Sequence, residues 1–317
     1  MSQPASRSQP APSPTDLPRG SWMGVLRRTL REFKDDELPD RAAALTYYGV
    51  LSVFPALLVL VSLIGLGGRG TTQRLIDNLG GAAPGSVRQI VQDAIGNLQR
   101  SQNTAGVLAI VGLLTALWSA SGYVAGFMRA SNAIYDVPEG RPVWKTLPIR
   151  VGVTALMMVL LSATAIGVVV SGSLAARVGE LFGFGSTAVT VWNIAKWPVL
   201  LLIVSLMFAI LYWASPNVKQ GFRWVTPGGL LAIVLWVVAS AAFAVYVANF
   251  AKYNKVYGSV AGVIIFLVWL WISNLAILIG AELNAELERG RAIATGHPAD
   301  SEPYVELRDQ PKDVRKD

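Results

Sequence analysis

A chain of 317 residues that is 53% hydrophobic and only 15% charged is too apolar for one or two water-soluble domains, in which about a quarter of residues carry charge. Its mean hydropathy is +0.46, and its apolar residues gather in blocks long enough for a helix to cross roughly 30 Å of hydrocarbon. The net charge of +7 falls between and beside these blocks rather than in one stripe, which suits anionic headgroups and topology better than nucleic acid, and no nucleic-acid partner is expected. The absence of cysteine excludes disulfides, a thiol nucleophile and a Cys-ligated metal.

Residues 1–20 are Pro/Ser-rich and polar, without the apolar core of a signal peptide, and are expected to be a disordered cytoplasmic tail. Trp22, Val25, Leu26, Leu30 and Phe33 then recur at helical spacing, with Arg27, Arg28, Arg31 and Lys34 around them. This predicts a basic amphipathic helix, lying among lipid headgroups or packed on the rest of the protein.

Six transmembrane helices follow, predicted at about 42–68, 104–128, 147–172, 191–213, 229–250 and 259–281, so the fold class is an all-α membrane protein. Pro55 is expected to kink the first span. In the long first outer loop, Val87, Ile90, Val91, Ala94, Ile95 and Leu98 form an apolar stripe that predicts an amphipathic helix over the outer face. Lys and Arg favour the side holding both termini, which predicts a cytoplasmic (inner) membrane protein with N- and C-termini inside. The expected organisation is a tail at 1–20, a membrane domain at 21–291 and a polar cytoplasmic tail at 292–317.

Enzyme chemistry needs convergent titratable or metal-binding groups. The one histidine, His297, falls in the C-terminal tail, and no phosphate loop, zinc motif or nucleophile elbow is present. No catalytic residue, cofactor or metal is expected, and the chain is read as a non-enzyme. What remains are polar groups at the membrane edges. Glu282 and Glu286 share one face of the last span, while Arg41 enters the first and Arg129 leaves the second at the same depth. Either they form a buried inner rim guarding a cavity, or they are interfacial residues that set topology. At the outer turn, Lys252, Tyr253, Lys255 and Tyr257 fit an anionic lipid or solute, and equally fit interfacial anchors. Gly258 and Gly262, and Gly122 and Gly126, have the spacing of close helix packing.

The segments DRAAALTYYGVLSVFPALLVLVSLIG (40–65), SGYVAGFMRASNAIYDVPEGRPVWKTLPIR (121–150) and YNKVYGSVAGVIIFLVWLWISNLAILIGAELNAELER (253–289) resemble signature regions of the YihY/BrkB family of bacterial inner-membrane proteins, formerly labelled ribonuclease BN. The resemblance implies a six-helix cytoplasmic-membrane protein and directs attention to Arg41, Tyr47, Tyr48, Pro55, Arg129, Asn132, Tyr135, Tyr257, Gly258, Gly262 and Glu282, without giving any of them a catalytic role. The functions it leaves are a transporter or lipid-handling protein with membrane lipids as partners, a structural or envelope-assembly factor, and a ribonuclease, for which the residues supply no equipment.

Overall fold

The computed structural model describes residues 19–66, 105–169, 186–250 and 254–311. The described residues form seven helices and no strands: α1 (Arg19–Asp35), α2 (Leu38–Leu66), α3 (Ala105–Ile134), α4 (Val143–Val169), α5 (Ser186–Ala214), α6 (Pro227–Phe250) and α7 (Asn254–Ala294). Among them α4, α5, α6 and α7 each contain a stretch long and apolar enough to cross a membrane. The expected outer-loop helix at 87–98, Lys252 and Tyr253, and the side chains of Pro55, Lys255, Tyr257 and Gly258, lie outside the described residues.

The chain divides into two compact units. One takes in the residues through Ala43, Met128–Pro142 and everything from Phe208 onward; the other takes in Ala44–Phe127 and Val143–Met207.

In the first unit α6 lies along α7. Trp236 donates its indole N–H to Ser273 Oγ (3.1 Å), Trp269 donates to Ser240 Oγ (3.2 Å), and the two rings meet edge-on. Each indole therefore keeps a partner inside an apolar stretch that offers no water. At the other end of the pair, Thr226 precedes Pro227 at the first helical position and accepts from Gly229 N (3.0 Å), capping α6. Asn284 of α7 donates to the same Thr226 hydroxyl and accepts from Gly228 N, joining the cap to the neighbouring helix. Here the backbones nearly touch: a Cβ on either Gly228 or Gly280 would run into the other's carbonyl.

The α1 helix packs on α7 through the buried pair Val25 and Leu287 and the adjoining Leu283. This leaves Met23, Leu26 and Leu30 as an exposed apolar stripe beside Arg27, Arg31 and Lys34, the pattern of a helix lying in a membrane interface.

In the second unit the hydroxyls of Thr154, Ser162 and Thr164 on α4 each bond the carbonyl one turn back, so none is left unpaired in an apolar helix. Gly122 and Gly126 of α3 meet α2 closely, since a Cβ at Gly126 would sit 3.1 Å from Tyr48 and 3.2 Å from Leu45. The expected packing role of Gly262 is corrected: a Cβ there would meet no described atom within 4 Å. Residue spacing along one helix does not say which face meets a neighbour.

The C-terminal stretch is built into the first unit rather than extending from it. Leu307 bridges to Val218, Arg308 donates to the carbonyl of Val218 (2.7 Å) and stacks over Trp213, and Tyr304 is buried against Tyr135.

Candidate functional site

The site lies in the first unit, where α1, the α1–α2 turn, the end of α3 and the tail meet the polar end of α7. Glu282 and Glu286 are one turn apart, 1% and 2% exposed, on the α7 face that also buries Leu278 and Ala285. An ionised carboxylate held so far from water is costly unless charge or hydrogen bonds compensate it.

Glu286 is compensated. Arg28 reaches across from α1 to pair with it, and Arg289 approaches it at 3.4 Å from one turn further along α7. Arg289 is a hub: it also pairs with Glu302 of the tail, lies 3.7 Å from Glu32 of α1 and 3.9 Å from Asp136 beyond α3, and stacks over Tyr304 at 5.0 Å. One guanidinium thereby ties three chain segments to α7, using the flat charged surface that lysine lacks.

Glu282 is treated differently. Its Oε2 is buried and receives no hydrogen bond from any N–H or O–H, while its carboxyl is in hydrogen-bonding contact with that of Asp36 in the α1–α2 turn. Burial pushes the Asp36 carboxyl up to about 6, with Asp136 and Glu32 adding to the rise and the Glu282 hydrogen bond and Arg41 opposing it. Burial likewise raises Glu32 and Asp136, each partly offset by Arg289. Arg41 does not meet Glu282 in an ion pair; its Nε closes the α1–α2 turn on the carbonyl of Asp36 at 2.6 Å. Arg129 is exposed on α3, so the expected buried network around Arg41, Arg129 and Glu282 is corrected in its members: Glu282 lies with Glu286, Asp36, Arg28 and Arg289, and Arg41 acts on Asp36 from the turn. A charge at a helix end looks the same in sequence whether it turns inward or outward.

A second buried cation was expected only as a topology residue. The Arg141 side chain is 1% exposed and forks onto Glu139 through two bonds of 2.7 Å, while its other N–H groups reach the carbonyls of Ala214, Ser215 and Pro216 at the end of α5. Asn132 donates to Glu139 and accepts from Asn217 N, whose own amide holds Pro138 O and Asp309 O. This polar knot fastens the loops and the tail to one another, and every charge in it is answered. Burial alone would raise Glu139, but the bonds and charge of Arg141 outweigh it and hold the carboxyl below its ordinary value.

Among the described residues no group of three or more His, Asp or Glu side chains is placed to hold a metal ion. The carboxyls around α7 are answered mainly by guanidinium groups, and one oxygen of Glu282 is left without a partner.

The family described as Virulence factor BrkB matches residues 29–303, from α1 to the docked tail. The chain belongs to the BrkB family. It is 28% identical to YfkH of Bacillus subtilis (strain 168), a protein whose name is ribonuclease-like, over 87% of this chain and 99% of YfkH. It is 31% identical to a UPF0761 membrane protein of Alkalilimnicola ehrlichii over 84% of this chain and 60% of that protein. A further UPF0761 membrane protein, VV0203 of Vibrio vulnificus (strain YJ016), is 28% identical over 86% and 85% of the two chains. No solved structure matches. This BrkB-family chain is thus a membrane protein, and the charged cluster on α7 lies within the region the family shares.

Proposed function

We propose that this BrkB-family protein is a six-span carrier of the bacterial cytoplasmic membrane, with both termini inside, that moves a lipid or another envelope component without an ATPase of its own. Two spans join the four already described: α2 and α3 have 29 and 30 residues, or roughly 44 Å of helix at 1.5 Å per residue. The inside assignment of the termini rests on the Lys/Arg bias of the sequence.

The observation that carries the reading is Glu282, a carboxyl buried at the polar end of an otherwise apolar α7 with one oxygen unsatisfied. Such groups are costly in a membrane bundle and mark pathways and relays. In proteoliposomes, the protein is expected to speed the inward flip of a fluorescent phosphatidylglycerol analogue, read by dithionite quenching of the outer leaflet. Glu282→Ala and Arg41→Ala are expected to abolish function while still inserting, whereas Arg129→Ala, at an exposed position, retains most of it. Full complementation of a deletion strain by both Glu282→Ala and Arg41→Ala would remove the site assignment.

The same reading makes the protein a non-enzyme. Purified protein is expected to leave RNA intact; cleavage that disappears in a single point variant of this chain would overturn it.

A further inference from the structure

We propose that Arg150, held in place by Ser121 and Trp118 in the second unit, binds the phosphate of an acidic phospholipid. Arg150 lies within the Val143–Ala165 stretch of α4, which is apolar enough to cross a membrane, about 10 Å along the helix from its first residue. A charged side chain within such a stretch is costly unless an anion answers it. Among the described residues no carboxylate pairs with Arg150, and the groups that hold its guanidinium are neutral. Its Nε donates to Ser121 Oγ of α3 at 2.8 Å, and its guanidinium carbon lies 5.0 Å from the centre of the Trp118 ring.

These contacts aim the side chain. Ser121 is fully buried, and its hydroxyl donates to the carbonyl of Trp118 at 2.6 Å, so its oxygen faces Arg150 as an acceptor. A bond at Nε together with the ring beside it fixes the guanidinium, while the η nitrogens have no acceptor among the described residues. Those paired nitrogens form the fork that matches the oxygens of a phosphate.

The surface beside the fork says which phosphate. Trp118 is 62% exposed, and Leu114, one turn further into the apolar part of α3 on the same face, is 60% exposed. An acyl chain can run along both while its headgroup phosphate meets Arg150, and the indole is the amphipathic body found where a membrane meets water. A soluble anion would gain nothing from that strip. Charge is complementary as well: the unanswered guanidinium leaves a positive charge, which an acidic phospholipid neutralises and phosphatidylcholine, carrying its own cation, does not. The site uses none of the residues of the α7 cluster and does not depend on the carrier reading.

Native mass spectrometry of the full-length chain, in detergent micelles mixed with phosphatidylglycerol or phosphatidylcholine, tests the assignment. Wild type is expected to hold phosphatidylglycerol at about tenfold lower lipid concentration than Arg150→Gln, and in preference to phosphatidylcholine. Arg150→Lys, with the charge but no fork, should recover only part of the difference. Arg223→Gln, which removes an exposed loop cation outside α3 and α4, should bind like wild type. Equal binding by wild type and Arg150→Gln, an equal loss in Arg223→Gln, or equal retention of the two lipids overturns the proposal. Displacement of the lipid by millimolar inorganic phosphate also overturns it, since the site would then serve a soluble anion. Should Arg150→Gln fail to fold, Ser121→Ala decides. It keeps every charge but removes the acceptor that orients the guanidinium, and is expected to weaken phosphatidylglycerol binding about threefold; an unchanged affinity overturns the proposal.

Discussion

Replacing Arg141 with alanine is expected to destabilise the protein by about 1–3 kcal/mol, chiefly the cost of leaving buried carbonyls without a donor, since Glu139 on the other side of the pair is 37% exposed and regains water. The guanidinium satisfies three carbonyls where α5 ends, at Ala214, Ser215 and Pro216, and no helical N–H follows to take its place. Its charge also opposes the negative end of the α5 dipole. Without it Glu139 keeps its charge but loses both arms of the fork. Arg141→Lys should fall between wild type and alanine, since an ammonium cannot fork onto a carboxylate while also reaching a row of carbonyls. Equilibrium unfolding in mixed detergent micelles measures the difference, and a loss below about 1 kcal/mol would mean that water reaches this arginine and screens it as at a surface. The pH dependence has a definite sign. Glu139 titrates below its ordinary 4.5, so its contribution is complete above that value and declines as pH falls through the lower native one. In Arg141→Ala that acid-side decline should flatten.

How much of this was legible in the sequence depends on the range of the interaction. The apolar stretches of α4 to α7 were readable because hydrocarbon thickness sets a minimum length, which composition reports directly. Glu282 and Glu286 were readable as a shared face because a helix repeats every 3.6 residues, and extending the same spacing to 289 would have brought in Arg289 as well. Their partners were not. Arg28 and Glu286 are 258 positions apart, and Asp36 comes to Glu282 only because α1 folds back on the last helix. Arg141 sits between Gly140 and Pro142 and reads as one more loop cation; what buries it is the carbonyl row of α5, to which no local pattern points. The docked tail was hidden for a related reason. Its residues are mostly polar, and their partners are either backbone groups of the 213–218 turn, which have no side-chain signature, or side chains such as Tyr135 and Arg289 that are distant in sequence.

The cluster on α7 and the knot around Arg141 solve the same physical problem in opposite ways. The knot answers each buried charge with a fixed partner, which stabilises one arrangement. Around α7 the carboxyls of Glu32, Asp36, Asp136, Glu282, Glu286 and Glu302 crowd together, and guanidinium groups such as Arg28, Arg31, Arg41 and Arg289 answer them unevenly, with one oxygen of Glu282 left unsatisfied. The first fixes the loops and the tail in one arrangement, and the second leaves an unsatisfied carboxyl oxygen at the polar end of α7.

Placing a side chain on Gly280 is expected to be the most damaging packing change in the first unit. A Cβ there would collide with the carbonyl of Gly228 and crowd both the Tyr212 hydroxyl at 2.6 Å and the Cβ of Ala232 at 2.8 Å. Backbone cannot rotate away as a flexible side chain can, so α6 must move off α7. Such a shift strains the Tyr212 hydroxyl's bond to Ile277 O and the contact between Asn284 and the Thr226 cap. Overpacking of this kind costs about 1–3 kcal/mol even in forgiving cores, and Gly280→Val should exceed Gly280→Ala. Gly262→Ala is the matched control: on the same helix, with no described atom near the added methyl, it should change stability by less than about 0.5 kcal/mol. Unfolding of the three variants in one detergent system gives the comparison. If Gly262→Ala proves as costly as Gly280→Ala, the tight seam of this helix lies at its other end. A small effect at Gly262 with a large one at Gly280 means that α6 and α7 are clamped beside the polar end, next to Glu282, so that the buried carboxyls of α7 are held on a fixed surface.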